Sequence, residues 1–250
     1  MATPWNLTPG EWSHVLLDGL KPDTLASRLT QGLSVPWTEV LLKSTSDSKR
    51  VLDLGSGQGE NSGLLALNGR EMTLLDWSKD NLDFSTQLFG ALGVTGQFCH
   101  ADMTQPLPFK NDAFDVVFSC GVFEYFNERQ IELILQEAFR ISKKRVIIMV
   151  PNAWSLAYRL GMWYMKRTGK WHWGGEVPSY TLKRCFKQVG SVRVNEFSVA
   201  AKHSLNFLTM PMGEQVKTWL TRVLKLTDDS KPSLLRQGYL LITIGDKQPE

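Results

Sequence analysis

Apolar and polar positions fall into two kinds of block along this chain. Short, nearly continuous apolar runs are followed by longer stretches in which apolar residues recur every three or four positions. The first kind fits strands buried on both faces, the second amphipathic helices. RVLDLG, EMTLLDW, TGQFCHAD, FDVVFSCG and KRVIIMVPN read as the first five strands, the last stopped by Pro151. Between them NSGLLALNG, SKDNLDFSTQLFGALG and NERQIELILQEAFRIS read as helices, with Gly69 closing one and Ser78 capping another. That alternation predicts a parallel sheet covered on both faces. Further on, YTLKRCFKQVG reads as a short helix, SVRVNEFSVA as a sixth strand and GYLLITIGDK as a seventh, with the last two strands a hairpin-like pair at the sheet edge. Upstream, EWSHVLLDGL and VPWTEVLLK carry helical spacing, with breaks at Pro22 and Pro36. Residues 153–179 and 202–236 interrupt the rhythm and read as insertions.

A chain of 250 residues suits one decorated α/β domain. Charge changes the picture more than composition does. Arg140 to Arg193 holds twelve Lys or Arg against the single acid Glu176, a formal +11. The chain's total of +3 then leaves −8 elsewhere. This asymmetry predicts a positive face near whatever the second half binds, or a solvated basic rim. Cys99, Cys120 and Cys185 are widely spaced with no CxxC pair, which argues against a disulfide framework or a zinc site and for a reducing, cytoplasmic setting. The first residues lack a basic patch followed by an apolar run, so no signal peptide is expected. No apolar run is long enough to predict a spanning helix.

The chemistry-bearing segment is Val51 to Gly59, VLDLGSGQG, in which a buried strand runs into a glycine-rich turn and then a helix. Gly55 and Gly57 allow a tight turn and close ligand approach, and the helix start offers free N–H groups. A dinucleotide site wants GxGxxG. Here the third glycine, Gly59, comes one position early, and Asp53 precedes Gly55 by two. A carboxylate there repels a pyrophosphate and suits a cationic or amine-bearing ligand. Asp76 ends the second strand, where a carboxylate accepts hydrogen bonds from ribose hydroxyls, and Trp77 is placed to cover a flat ring. Asp102 ends the third strand in HADM, placed to accept from an adenine amino group. Three acids at the carboxyl ends of successive strands lie along the crevice in which open α/β sheets bind ligands.

On these residues the chain resembles the class I S-adenosylmethionine-dependent methyltransferases, in particular their broad small-molecule group. VLDLGSGQGE matches the first motif, LLDWS the second, and ADMTQPLPFKNDAFDVVFSCGVFEYF the third and fourth, over roughly residues 50–150. The resemblance implies a Rossmann-like α/β fold with a seven-stranded, mostly parallel sheet and an antiparallel last strand. It implies S-adenosylmethionine as cofactor, S-adenosylhomocysteine as product, and no metal. Its cofactor contacts would be Asp53, Gly55, Ser56, Gly57, Gly59, Asp76, Trp77, Asp102 and the Met103 main chain, with Ser119 and Cys120 beside the methionine moiety. The single domain then divides into an N-terminal helical cap (1–48), a cofactor-binding core (49–152), cap insertions (153–179 and 202–236), and the end of the sheet (180–201 and 237–250).

One position departs from the family. Many relatives carry a histidine in a pattern like LEHF, and this chain has Phe123-Glu124-Tyr125-Phe126, with Tyr125 at that place. A phenol is a poor base at its ordinary pKa of about 10, but it can orient a substrate or pack beneath it. The implied reaction is in-line methyl transfer to a small-molecule acceptor, apolar or anionic, above the cofactor. Of His14, His100, His172 and His203, His100 is read as structural. His14 and His203 lie in cap segments within reach of the pocket. His172, between Trp171 and Trp173, is the candidate for titration beside the acceptor. Aromatic and basic residues interleave over 153–173, including Trp154, Tyr158, Arg159, Trp163, Tyr164, Lys166, Arg167 and Lys170. An acceptor lid ranks first for this segment, peripheral contact with a membrane carrying a lipid or isoprenoid-like acceptor second, and a nucleic-acid backbone last. A catalytically silent cofactor-binding scaffold is the reading from outside enzymology. The oligomeric state is not legible.

Overall fold

The computed structural model describes residues 8–190, 192–224, 229–233 and 236–247. Seven strands, β1 (Arg50–Leu54), β2 (Glu71–Asp76), β3 (Gly96–His100), β4 (Phe114–Cys120), β5 (Ser142–Pro151), β6 (Val192–Val199) and β7 (Leu240–Lys247), form one sheet. Their order is β3-β2-β1-β4-β5-β7-β6. β1 to β5 pair in parallel, and β7 lies antiparallel between β5 and β6. The central strands have no polar face because both faces are covered. Leu52, Leu54 and Val117 pack into one core, Val51, Val116 and Phe118 into the other, all fully buried.

The helices are α1 (Pro9–Leu17), α2 (Pro22–Thr30), α3 (Thr38–Ser44), α4 (Glu60–Leu67), α5 (Lys79–Leu92), α6 (Glu128–Ile141), α7 (Leu156–Arg167), α8 (Lys183–Val189), α9 (Ala201–Ser204), α10 (Thr209–Met212) and α11 (Glu214–Val223). Their starts follow local rules. Ser78 caps α5 by accepting from the Asn81 N–H, and Asn127 and Gln130 form a reciprocal capping box on α6. Two expectations shift. Pro22 does not only interrupt; it opens α2 at its first turn, where the missing N–H costs nothing. α2 then buries Leu25 and Leu29 against Phe84, Leu88 and Leu92 of α5. The last two strands pair, but not as a hairpin: the 202–236 segment intervenes, and β6 rather than β7 forms the edge.

Topology places the site. β1, β2, β4 and β5 all end on one side of the sheet, and antiparallel β7 begins on that side at Leu240. The cap is knitted above it by Tyr158 of α7, fully buried, whose ring meets Phe207 at 4.9 Å and Tyr239 at 5.2 Å.

Candidate active site

At the β1 end the chain turns sharply. The Gly55 and Ser56 N–H groups both donate to the Leu75 carbonyl, at 2.8 and 3.0 Å. Gly55 has φ +81°, and a Cβ there would stand 2.8 Å from both Met103 Cε and Val122 Cγ2, so only glycine fits. Asp76 fastens this loop to β2. Its Oδ2 accepts from the Gly57 N–H at 2.8 Å, and its Oδ1 accepts from the Ser78 N–H at 2.8 Å and Asn81 Nδ2 at 3.2 Å. Burial pushes the Asp76 carboxyl above its ordinary pKa, and these donors oppose the rise. Asp102 is exposed; its Oδ1 accepts from the Thr104 N–H and hydroxyl, both at 2.8 Å. His100 Nε2 lies 2.9 Å from the Trp77 carbonyl oxygen and helps hold that turn.

These turns border one cavity of 310 Å³. Gly55, Ser56, Gly57, Asp76, Trp77, Asp102, Met103, Cys120 and Tyr125 all line it. Asp53, Gly59, Ser119 and His172 do not. Asp53 is buried behind the loop, where its Oδ2 accepts from the Ser62 hydroxyl at 2.6 Å. Burial, with the nearby Asp76 charge, pushes its pKa up to about 7. Gly59 caps α4 with φ 75°. The Ser119 hydroxyl donates to the Leu54 carbonyl at 2.6 Å and ties β4 to β1. His172 is exposed to solvent.

At the other end of the cavity the wall is aromatic and acidic. Trp12 comes from α1, Trp37 from the turn before α3, Tyr125 from the short 3₁₀ turn Phe123–Tyr125, Trp173 from the cap, and Tyr239 from the start of β7. The 153–179 insertion supplies only Trp173 and Glu176 to this wall, while Trp154 and Trp163 are 47 % and 57 % exposed. Tyr125 is buried edge-on to Trp12, centroids 4.9 Å apart, and its hydroxyl donates to the Trp173 carbonyl at 3.1 Å. Burial and two nearby acids push that phenol further above its ordinary pKa, so it does not serve as a base near neutrality. Glu124 and Glu176 are buried together beside it. The Tyr158 hydroxyl donates to Glu176 Oε1, and the Val177 N–H donates to the Glu124 carbonyl at 3.1 Å. Desolvation raises the pKa of both carboxyls, and Glu176's charge raises Glu124's further. Desolvation likewise keeps the Cys120 thiol protonated.

The charge of the wall is one-sided. Among the described residues it holds Glu60, Asp76, Asp102, Glu124 and Glu176, and no Lys, Arg or His. The basic 140–193 segment therefore turns its cations away from the cavity, while its one acid, Glu176, turns in. Arg140 and Arg145 are tied to Glu137 and Asp246, and Lys166 and Arg167 stack on Trp171 and Trp163. Such a wall disfavours a pyrophosphate and suits a ligand carrying hydroxyls and positive charge. Ser56 Oγ and Glu60 Oε1 are buried on it without a hydrogen-bond partner among the described residues, as expected of groups that wait for a ligand. Sequence reasoning passed over Glu60, Trp12, Trp37 and Tyr239, and gave Glu124 and Glu176 no role. Only the isolation of Glu176 among twelve cations was a usable signal.

Comparison with known proteins agrees with this geometry. Residues 51–145 match the family described as a methyltransferase domain. Over 88 residues, 35 % of this chain, the sequence is 30 % identical to phosphoethanolamine N-methyltransferase 1 of Triticum aestivum, and the match spans 18 % of that protein's length. The fold resembles magnesium protoporphyrin IX methyltransferase of Synechocystis with bound S-adenosylhomocysteine, at TM-score 0.56 and 15 % identity over 84 % of this chain and 82 % of that one. It also resembles a Thermotoga maritima protein described as a possible histamine N-methyltransferase, at TM-score 0.58 and 16 % identity over 85 % and 88 % of the two chains. The fold is that of the class I methyltransferases. The chain carries a methyltransferase domain of the S-adenosylmethionine-dependent family.

Proposed function

We propose that this protein transfers a methyl group from S-adenosylmethionine to a small-molecule acceptor. One observation carries the reading: a single cavity joins the glycine loop, Asp76 and Asp102 at one end to a buried aromatic wall at the other. Gly55, Ser56, Gly57, Asp76, Trp77, Asp102, Met103 and Cys120 are assigned to the cofactor. Asp76 retains lone pairs for ribose hydroxyls, and the second oxygen of Asp102 carries no hydrogen bond among the described residues. Asp53, Gly59 and Ser119 support the loop and strand ends from behind. When bound, the cofactor supplies an activated methyl group on a cationic sulfur. The chain's own part is to hold the acceptor in line, exclude water and accept a proton where the acceptor has one to lose. The names of the relatives point to unlike acceptors on one fold, a phosphorylated amine, a porphyrin and histamine, so the fold does not select among them.

The test is calorimetry with S-adenosylmethionine and NAD, using Asp76→Ala as control. Micromolar binding of the sulfonium alone, lost in the variant, supports the reading. Binding of NAD alone, or of neither, refutes it.

A second reading places the enzyme on a membrane, and one observation favours it. Leu156, Leu160 and Trp163 of α7 and Trp219 and Val223 of α11 are more than half exposed, beside Arg159 and Arg167. Apolar and basic side chains together suit an anionic lipid surface. None of the described helices is long and apolar enough to cross a membrane. Co-sedimentation with phosphatidylserine vesicles but not phosphatidylcholine vesicles supports this reading, and co-sedimentation with neither refutes it. Without such contact we place the protein in the cytoplasm, which suits its three free thiols.

A further inference from the structure

Two carboxylic acids in the acceptor end of a cavity are costly to bury and need a reason. Glu124 is 4 % and Glu176 5 % exposed, and both border the cavity. Glu176 has one partner, the Tyr158 hydroxyl. Glu124 Oε2 is buried with no hydrogen-bond partner among the described residues. None of the described cations pairs with either acid, and none lines the cavity. The chain thus brings together two acids, an unanswered carboxyl oxygen and the ring faces of Trp37, Tyr125, Trp173 and Tyr239, and supplies no positive charge of its own.

We infer that the acceptor is an amine, held as its ammonium form between the Glu124 and Glu176 carboxyls and the surrounding aromatic rings. This rests on the methyltransferase reading. The chemistry excludes the other common acceptors. A carboxylate, phenolate or enolate would enter as an anion against two acids, whereas an ammonium is drawn to carboxylates and to π faces alike. The same acids serve the reaction. An ammonium nitrogen has no free electron pair, so it must first pass a proton to the carboxyl pair. The nitrogen lone pair then forms the bond to the methyl carbon while the carbon–sulfur bond breaks and its electrons remain on sulfur. The product leaves as the methylated ammonium, and the proton on the carboxyl returns to solvent. The raised proton affinity of the pair suits it to take that proton.

The test reads acceptor binding apart from turnover. The protein is saturated with S-adenosylhomocysteine and titrated calorimetrically with three amines, ethanolamine, butylamine and phenethylamine, each against the alcohol or diol of matched shape, and with phenylacetate. At least one amine is expected to bind about 10- to 100-fold tighter than its hydroxyl counterpart, the range of a charge-assisted hydrogen bond. Glu124→Gln and Glu176→Gln are expected to erase that preference while S-adenosylhomocysteine binds unchanged, which also shows that the variants fold. If S-adenosylhomocysteine binds but no amine outcompetes its counterpart, or phenylacetate binds best, the amine inference is overturned and the methyltransferase reading stands. If S-adenosylhomocysteine itself fails to bind the unsubstituted protein, both fall.

Discussion

Replacing Asp53 by asparagine should stabilise the protein, and increasingly so as pH rises. Asp53 sits 3 % exposed behind the glycine loop, with one hydrogen bond, from Ser62. Its pKa is about 7 in the fold against 3.8 as an ordinary group. The folded state therefore keeps this proton over a range in which the unfolded chain has lost it, and stability falls as pH rises from about 4 to about 7. Above pH 7 the full penalty applies, about 4 kcal/mol for roughly three units. Asparagine carries no such penalty. Its advantage over aspartate should grow by about 3 kcal/mol between about pH 5 and about pH 8. Any change in the Ser62 bond adds a pH-independent offset. For a chain of this length that growth corresponds to roughly 5–10 °C in melting temperature. Urea unfolding of both proteins at the two pH values is the assay. Asp76, Glu124 and Glu176 also titrate, but they do so in both proteins and largely cancel in the difference. Parallel stability curves would show that Asp53 is not buried as a carboxylic acid and would refute the reasoning.

Tyr125→Phe should lower stability by only about 1 kcal/mol, through loss of the bond to the Trp173 carbonyl, and should leave turnover within a few fold; a loss of about 100-fold or more would mean that the phenol moves a proton. His172→Ala should not change turnover on the true acceptor, because the ring is exposed and off the cavity wall; a tenfold or greater loss, about 1.4 kcal/mol, would place it in the reaction. Gly161→Ala should destabilise the cap by about 1–3 kcal/mol, because the new Cβ would stand 2.2 Å from the Phe207 carbonyl oxygen, a backbone atom that cannot turn aside; an unchanged unfolding midpoint would refute this contact. Ser119→Ala should cost about 1 kcal/mol in stability without weakening cofactor binding, because its hydroxyl is spent on Leu54 and does not face the ligand; weaker S-adenosylhomocysteine binding would contradict that.

What the chain determined by local rules alone was the sheet and half of the site. β1 to β5 announce themselves because a strand buried on both faces must be apolar throughout, and the helix starts at Ser78 and Asn127 because capping is settled within four residues. Asp76 and Asp102 were placed correctly on the cavity because an acid that ends a parallel strand goes wherever that strand ends. Asp53 lies inside β1, where side chains alternate between faces. Local pattern cannot say that Asp53 faces Ser62 behind the loop and not the ligand. The acceptor end depended on tertiary structure altogether. Tyr239 reaches it because β7 inserts antiparallel between β5 and β6, and Trp12 and Trp37 reach it because α1 and α3 fold over the strand ends. The basic 140–193 segment suggested a positive site, yet packing turned its cations to solvent and drew Glu176 inward to Tyr158 and Glu124. Charge counted along a chain says nothing about direction, and whether a carboxyl is answered by a cation, a phenol or another acid is decided by partners distant in sequence.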